Sequence, residues 1–412
     1  MKKNISLNRF IGFFLVSFIL FFQNVSGEVE FSGFFDTYGS IGFENSSGPQ
    51  VLRSDLKTNL ELFFKKGSIF FSTKFIRYSI IDQSFELQLK EAYLSFSLSE
   101  NVEVRAGRQI FSWGNSERII VSDIISPMDL REYITMDYYE MKMGIDSFLL
   151  SLFRKNVKFD LIWSPFFRRS ESPDPGSIWF NEIDINYFEN FKDHFFIKKP
   201  NSGLKNSQIF AKLSLFLKGF DISVYGFSKW NDTPFYYTSS PDDYFNVDRG
   251  FEKLRGFGFY FSKPIDFIML RGEFIIYKNR LLRMSWLPEK LMSGDYKKWM
   301  AGIDIFLRNE FKITFQLLYN TIPGRMEIPF YGEKKFIENI NISGKIGYLL
   351  RFRNYAYLFL NNKNMYNRTE LIFRIDDSFK IIVGVDIFKG LYSYFGKYLN
   401  NSQIWLKLKY IF

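Results

Sequence analysis

The segment from Ile404 to Phe412 constrains the fold more than any other part of the chain. Ile404, Leu406, Leu408, Tyr410 and Phe412 alternate with Trp405, Lys407, Lys409 and Ile411. A period of two is the signature of a strand. One face is apolar throughout, and the other carries two lysines. The two faces therefore need different surroundings. An amphipathic strand of a soluble sandwich would meet that need for a single segment. If many strands repeat the pattern, the natural solution is a transmembrane barrel, with lipid outside and a wet lumen inside.

The pattern does repeat. Leu56, Thr58, Leu60, Leu62 and Phe64 share a face opposite Lys57, Asn59 and Glu61. Ile69 to Phe75, Ala92 to Leu98 and Val102 to Ala106 follow. Ile209 to Leu217, Phe220 to Val224, Ala301 to Leu307, Phe311 to Leu317, Ile340 to Tyr348 and Ile381 to Ile387 continue it. Each segment has about the 9–11 residues that cross a bilayer at barrel tilt. Tight turns are expected at Lys65-Lys66-Gly67, Ser99-Glu100-Asn101, Lys218-Gly219, Lys263-Pro264, Arg308-Asn309 and Asp376-Asp377-Ser378. Long links lie between them: Ser112 to Tyr139, Phe166 to Asn206, Asn231 to Leu254, Asn279 to Tyr296 and Thr321 to Glu338. Short turns at one end and long loops at the other are the outer-membrane arrangement. The expected fold is all-β: a transmembrane antiparallel β-barrel of about 18 strands (16–18), even in number as a closed bacterial barrel requires. The alternation is weakest in Met141–Phe166 and Tyr348–Asn361.

The first residues supply a route to that location. Lys2, Lys3 and Arg9 precede an apolar run from Phe10 to Phe22, and Val25-Ser26-Gly27 offers small residues for cleavage. This reads as a signal peptide over residues 1–27, leaving residues 28–412 as one barrel domain. Hydrophobic residues make up 46% of the chain and aromatic residues 20%, with 52 Phe. They are spread over short alternating segments, as lipid-facing surface with aromatic girdles would be. The absence of Cys removes disulfides, zinc-thiolate sites and thiol catalysis. The formal charge is +10. The Lys and Arg residues are dispersed and form no patch of the kind that binds nucleic acid.

Alternation also assigns the inward charges. Arg105, Lys212, Arg271, Lys312 and Arg374, with Lys57, Lys74, Lys229, Lys345, Lys380, Lys407 and Lys409, point to the lumen. So do Glu273, Asp55, Glu61, Glu91, Glu103, Asp221, Asp304, Glu370 and Asp386. Cations slightly outnumber anions in this set. Most would pair across neighbouring strands, and the excess suggests a modest preference for anions.

The link after Ile110 is the candidate constriction. It carries Trp113, Gly114, Arg118, Asp123, Asp129, Arg131 and Glu132. Mixed charges on a loop at a barrel mouth can fold inward and narrow a pore, or they can simply decorate the mouth, with the longer Phe166–Asn206 link acting as the constriction.

Gly107-Arg108-Gln109, Trp113-Gly114, Asp123 and Pro127-x-Asp129 resemble the motifs of proteobacterial outer-membrane barrels related to alginate-export porins. Ser126 stands where that group carries Asn. Leu270-Arg271-Gly272-Glu273 and the stretch from Phe388-x-Gly390 through Gly396 are similar to the same group. Tyr410-x-Phe412 resembles the terminal aromatic signal read by the outer-membrane assembly machinery. The resemblance implies a barrel porin or exporter in the outer membrane of a diderm bacterium, without naming its solute.

Catalysis finds little support. His194 is the only histidine and has no evident Ser or Asp partner. No cluster of metal ligands or phosphate loop is visible, and Asp36 or Asp242-Asp243 would hold calcium only weakly. The expectation is a non-enzymatic channel without cofactor or metal. Its partners would be lipid, the assembly machinery and a small solute, with a homo-oligomer left open. Two alternatives remain. One is a surface-displayed adhesion or ligand-binding barrel with a plugged lumen. The other is a transporter of hydrophobic ligands, suggested by Trp179, Phe180, Phe235, Tyr236 and Tyr237.

Overall fold

The structure, a computed structural model, describes residues 28–412 apart from 44–47, 80–83, 133–134, 174–176, 181–196, 199, 202, 234, 239–246, 284–290, 309, 322–334, 360–363 and 391–394. Residues 1–27, His194 and the Asp242-Asp243 pair lie outside the described residues.

Eighteen strands form one sheet. In chain order they are β1 (Val29–Gly42), β2 (Gly48–Phe64), β3 (Gly67–Tyr78), β4 (Phe85–Ser99), β5 (Val102–Gln109) and β6 (Ile145–Arg154). β7 (Val157–Ser164), β8 (Gln208–Leu217), β9 (Phe220–Trp230), β10 (Lys253–Ile265), β11 (Ile268–Arg283) and β12 (Leu291–Phe306) follow. The last are β13 (Lys312–Thr321), β14 (Lys335–Ile346), β15 (Leu350–Phe359), β16 (Asn364–Arg374), β17 (Phe379–Lys389) and β18 (Gln403–Ile411). Each pairs antiparallel with its neighbour in sequence, and β1 pairs with β18. The sheet is therefore closed and has no open edge, as backbone surrounded by hydrocarbon requires.

Register fixes the two faces. Asp36 lies opposite Lys409 on one side and Asp55 on the other, and Tyr38 opposite Lys407 and Arg53. These point inward. Phe35, Leu406 and Leu408 have the opposite parity and are exposed on the outside.

Tight turns close one end. Lys155, Asp266 and Glu310 take positive φ (52°, 52° and 57°), as do Gly219 and Gly347 (74° and 73°). The expected Lys263-Pro264 turn is displaced. Both residues belong to β10, and the chain reverses at Asp266. The expected Asn279–Tyr296 link is also shorter than its polar sequence suggests. β11 runs on to Arg283 and β12 begins at Leu291. A register shift between Tyr277 and Arg280 absorbs the polar run, with Asn279 at φ 50°. Asn tolerates that conformation better than most residues.

The two weakly alternating segments resolve into strands. Met141–Phe166 gives the hairpin β6–β7, preceded by the short helix α1 (Tyr138–Met141). Tyr348–Asn361 gives β15. Its outer face carries Asn354, which is why alternation reads poorly there. Asn354 bonds Thr369 (2.7 Å) and Asn367 (3.2 Å) on β16. Polar groups that face lipid thus satisfy one another.

Candidate functional site

Residues 110–144 leave the long-loop end of β5 and fold into the barrel. Two glycines shape the entry. Gly107 has φ 128°, and a Cβ there would lie 2.3 Å from the Ala92 carbonyl. The strand end then presents Gln109 inward, its amide bonding Ser147, and Arg108 outward, in a bidentate pair with Asp146 at 2.8 and 2.9 Å. Gly114 has φ 90°, and a Cβ there would meet both carboxylate oxygens of Glu273 within 2.9 Å.

Glu273, inward on β11, is the main anchor. It accepts the backbone N–H groups of Asn115 and Ser116 on one oxygen and that of Ser122, at 3.0 Å, on the other. Arg271 donates to the Asn115 carbonyl and pairs with Asp304. Gln316 accepts from the Glu117 N–H and donates to its carbonyl, both at 2.9 Å, while Lys312 pairs with the Glu117 carboxylate. Lys229 donates to the Ile124 carbonyl at 2.6 Å. A loop whose backbone polar groups meet inward wall side chains on β9, β11 and β13 is held inside the lumen.

Apolar packing reinforces this side. Trp113, Ile119, Val121, Ile124 and Ile125 are buried against Phe210, Tyr225, Phe227, Ile275, Met300 and Leu318. Trp113 meets the Phe210 ring edge-on at 6.3 Å. Within the loop, Asp123 accepts from Tyr138 (2.8 Å) and pairs with Lys142, and the Ser126 hydroxyl accepts the Phe111 N–H at 2.8 Å. Asp129 is clasped by Arg131.

The other side of the loop is charged. Glu132 pairs with Arg53, and Glu140 with Lys57 (2.9 Å) and Lys74 (3.7 Å). Arg118 stacks over the Tyr355 ring at 3.8 Å, and its carbonyl accepts from Tyr357. Arg368 donates to the Thr135 carbonyl. Here part of the loop stays accessible to solvent. Tyr139 is 71% exposed and Asp137 is exposed, although both belong to a loop pinned inside the barrel. A recess of about 180 Å³ also opens beside the loop's first residues, lined by Tyr93, Arg105, Trp113, Lys158, Asp160 and Lys212.

The wall residues expected from alternation thus fall into two groups. Arg271, Glu273 and Lys312 grip the loop. Arg105 and Arg374 keep solvent exposure and Lys212 is mostly buried: Arg105 lies beside Glu103, Lys212 between Asp160 (3.4 Å) and the Trp113 ring (4.9 Å), and Arg374 opposite Lys380. All five loop residues (Trp113, Gly114, Arg118, Asp123 and Asp129) lie in the infolded segment. Sequence reasoning missed Arg53, Arg353, Tyr355 and Arg368. Arg53 precedes the clear alternation of β2, and Arg353 and Tyr355 sit on the poorly patterned β15. At the closure, Phe412 exchanges backbone bonds with Gly33 (2.8 and 3.1 Å) and stacks on Phe31 at 5.4 Å, and Tyr410 faces outward beside it.

The loop carboxylates have a clear pH signature. Enclosure by the barrel raises Asp137, but Arg118, Lys407 and Arg353 outweigh it and hold the carboxyl below the usual aspartate range. Enclosure likewise raises Glu140, and Lys74 and Lys57 reverse the shift. A depressed folded-state value stabilises the loop above the ordinary carboxylate range, and that contribution is lost as pH falls through the depressed value. Protonation of these two carboxylates is therefore expected to loosen the loop only below about pH 4, read as a change in single-channel conductance in that range. An unchanged conductance below about pH 4 in the wild type, or the same low-pH change in the Asp137→Asn, Glu140→Gln variant, would contradict this pairing scheme.

Comparison with solved structures bears on the barrel fold. The chain is similar to Pseudomonas aeruginosa OccK3 (OpdO), with TM-score 0.57, 10% identity and coverage of 95% of this chain and 99% of that one. It is similar to Acinetobacter baumannii OccAB3, with TM-score 0.55, 9% identity and coverage of 94% and 99%. OccAB1 of the same organism gives 0.54, 9%, 94% and 96%. The fold is that of the outer-membrane porin barrels. No family model matches the chain, and no curated protein matches it. At such identities the likeness speaks for the fold alone.

Proposed function

We propose that the chain is an outer-membrane channel of a diderm bacterium, exported by a signal peptide over residues 1–27. It passes small solutes, preferentially anions, through a lumen narrowed by residues 110–144. The observation that carries this reading is the water-exposed Asp137 and Tyr139 on a loop held inside a closed barrel. A plugged adhesion barrel would have no use for solvated charge there. Glu132 and Glu140 pair directly with Arg53, Lys57 and Lys74 and hold the loop to the wall, while the exposed Asp137 lies in the field of Arg118, Lys407 and Arg353, so a solute would pass beside mixed charge. The porin barrels that share the fold support a channel role. The resemblance to alginate-export barrels points the same way.

Nothing in this reading calls for chemistry on the solute. The hydrophobic-ligand reading loses Trp179, which is buried against Phe388 and Tyr398.

Anion preference has its own support. Arg374, Lys380 and Lys409 form one cross-strand row on β16, β17 and β18, with Asp36 next on β1. These residues line the tight-turn end of the lumen and hold no part of the loop. Arg271, by contrast, would unsettle the loop if changed. Replacing Arg374 and Lys380 with Gln is expected to lower the anion-to-cation permeability ratio, read as a reversal potential under a salt gradient. Each lost cation weakens the local anion by about 1 kcal/mol, or about fivefold, before salt screening. A wild-type cation preference, or an unchanged ratio in the variant, would overturn the anion assignment.

A further inference from the structure

A cluster of cations sits on the outside of the barrel, where lipid-facing residues belong. Arg255 on β10 lies directly opposite Lys278 on β11, and Lys297 on β12 is diagonal to Lys278 across Ile276. All three share the parity of the outward residues Phe257 (52% exposed) and Trp299 (44% exposed). Arg255 and Lys278 are exposed, and Lys297 is half-exposed. Lys253, two residues from Arg255 on the same face, packs over Trp230 at 5.3 Å. Among the described residues, the carboxylate that meets them is Asp295, 2.6 Å from Lys278.

Position gives the cluster meaning. An aromatic band lies on the same strands toward the tight turns, one pleat repeat from Lys297 and two from Arg255 and Lys278. It contains Phe259, Phe274 and Trp299, with centroids 5.6 and 4.0 Å apart. Lys297 stands about 7 Å, and Arg255 and Lys278 about 13 Å, further along the strands toward the long-loop end. Aromatic girdles mark the membrane interface, so the cations sit at headgroup height in the outer leaflet. Like charges opposite one another on neighbouring strands are destabilising. One carboxylate offsets only part of that repulsion.

We propose that Arg255, Lys278 and Lys297 bind the phosphate of a phosphorylated glycolipid in the outer leaflet, with the Phe274–Trp299 band against its acyl chains. The inference rests on the outer-membrane reading of the fold. A lipid phosphate satisfies the cations, and the adjoining band explains why the occupant is a lipid and no free anion.

The test is native mass spectrometry of the full folded barrel in detergent, titrated with bisphosphorylated lipid A or with the same lipid enzymatically dephosphorylated. Wild type is expected to retain the phosphorylated lipid. The triple variant Arg255→Gln, Lys278→Gln, Lys297→Gln should bind it on the order of a hundredfold more weakly. Equal retention by wild type and variant overturns the site. So does equal retention of the dephosphorylated lipid, or full displacement by inorganic phosphate. If the triple variant fails to fold, Arg255→Gln and Lys278→Gln are titrated singly, each with about a fivefold loss expected. Conductance is recorded on the same samples. A silent wild type refutes the channel while leaving the lipid result standing, and lost lipid with intact conductance is the expected outcome for the variant.

Discussion

Replacing Glu273 with Ala is expected to free the first half of the infolded loop while leaving the barrel standing. Its carboxylate is the acceptor for three loop N–H groups, from Asn115, Ser116 and Ser122. Hydrogen bonds to a charged group contribute about 1.5–3 kcal/mol each, and leaving buried donors unpaired costs more than the bonds alone. Loss of even about 3 kcal/mol raises the population of the detached loop more than about a hundredfold. The expected record shows higher mean conductance with rapid flicker, and new protease cleavage within residues 114–122. The β11 ladder is untouched, so the folded band on an unheated gel should persist. Glu273→Gln keeps one acceptor oxygen and should fall between. Quiet, wild-type conductance and protease resistance in Glu273→Ala would show that Glu273 is not the main anchor and that the remaining polar contacts and apolar packing hold the loop without it.

Removing Tyr410 to Phe412 is expected to lower the folded outer-membrane fraction by about tenfold, because it opens the barrel where it closes. The deletion removes the pairs Phe34↔Ile411, Phe35↔Tyr410 and Phe379↔Tyr410, both Gly33–Phe412 bonds and the Phe31–Phe412 stack. Each backbone group left unpaired against hydrocarbon costs several kcal/mol. Surface abundance checks the prediction, and an unchanged level would contradict it. Refolding into detergent separates two causes. A truncated chain that refolds normally there has lost a signal read by the assembly machinery, whereas one that fails has lost closure.

The barrel was legible in the sequence because lipid and water enforce one rule on every strand. Lys407 and Lys409 could face only inward, and the register bears the same parity through β18, β1 and β2. Legibility failed where a local signal had another cause. Lys263-Pro264 carries a turn's composition yet ends a strand, and the Lys278-Asn279-Arg280 run is a bulge. β15 is obscured because Asn354 faces outward and is satisfied by its neighbours.

The loop's inward fold was readable as an option, from Trp113-Gly114 and its mixed charges. Its anchors were not. Glu273 lies over 150 residues from the N–H groups it holds, and only the closed sheet brings them together. The same holds for the contacts of Arg53 with Glu132 and Arg368 with Thr135. Pore-facing parity alone cannot distinguish Arg271, which grips the loop, from Arg374, which stays in water.

The most direct measurement is a single-channel recording of the refolded barrel in a planar bilayer, intact and without Asn115 to Met128. That segment carries the Glu273, Gln316 and Lys229 contacts, so its removal should widen the narrowest part of the lumen. The account predicts discrete open steps from the intact protein and severalfold larger steps from the deletion. Silence from the intact protein, with the deletion equally silent although folded, would contradict a channel and favour a plugged, surface-binding barrel.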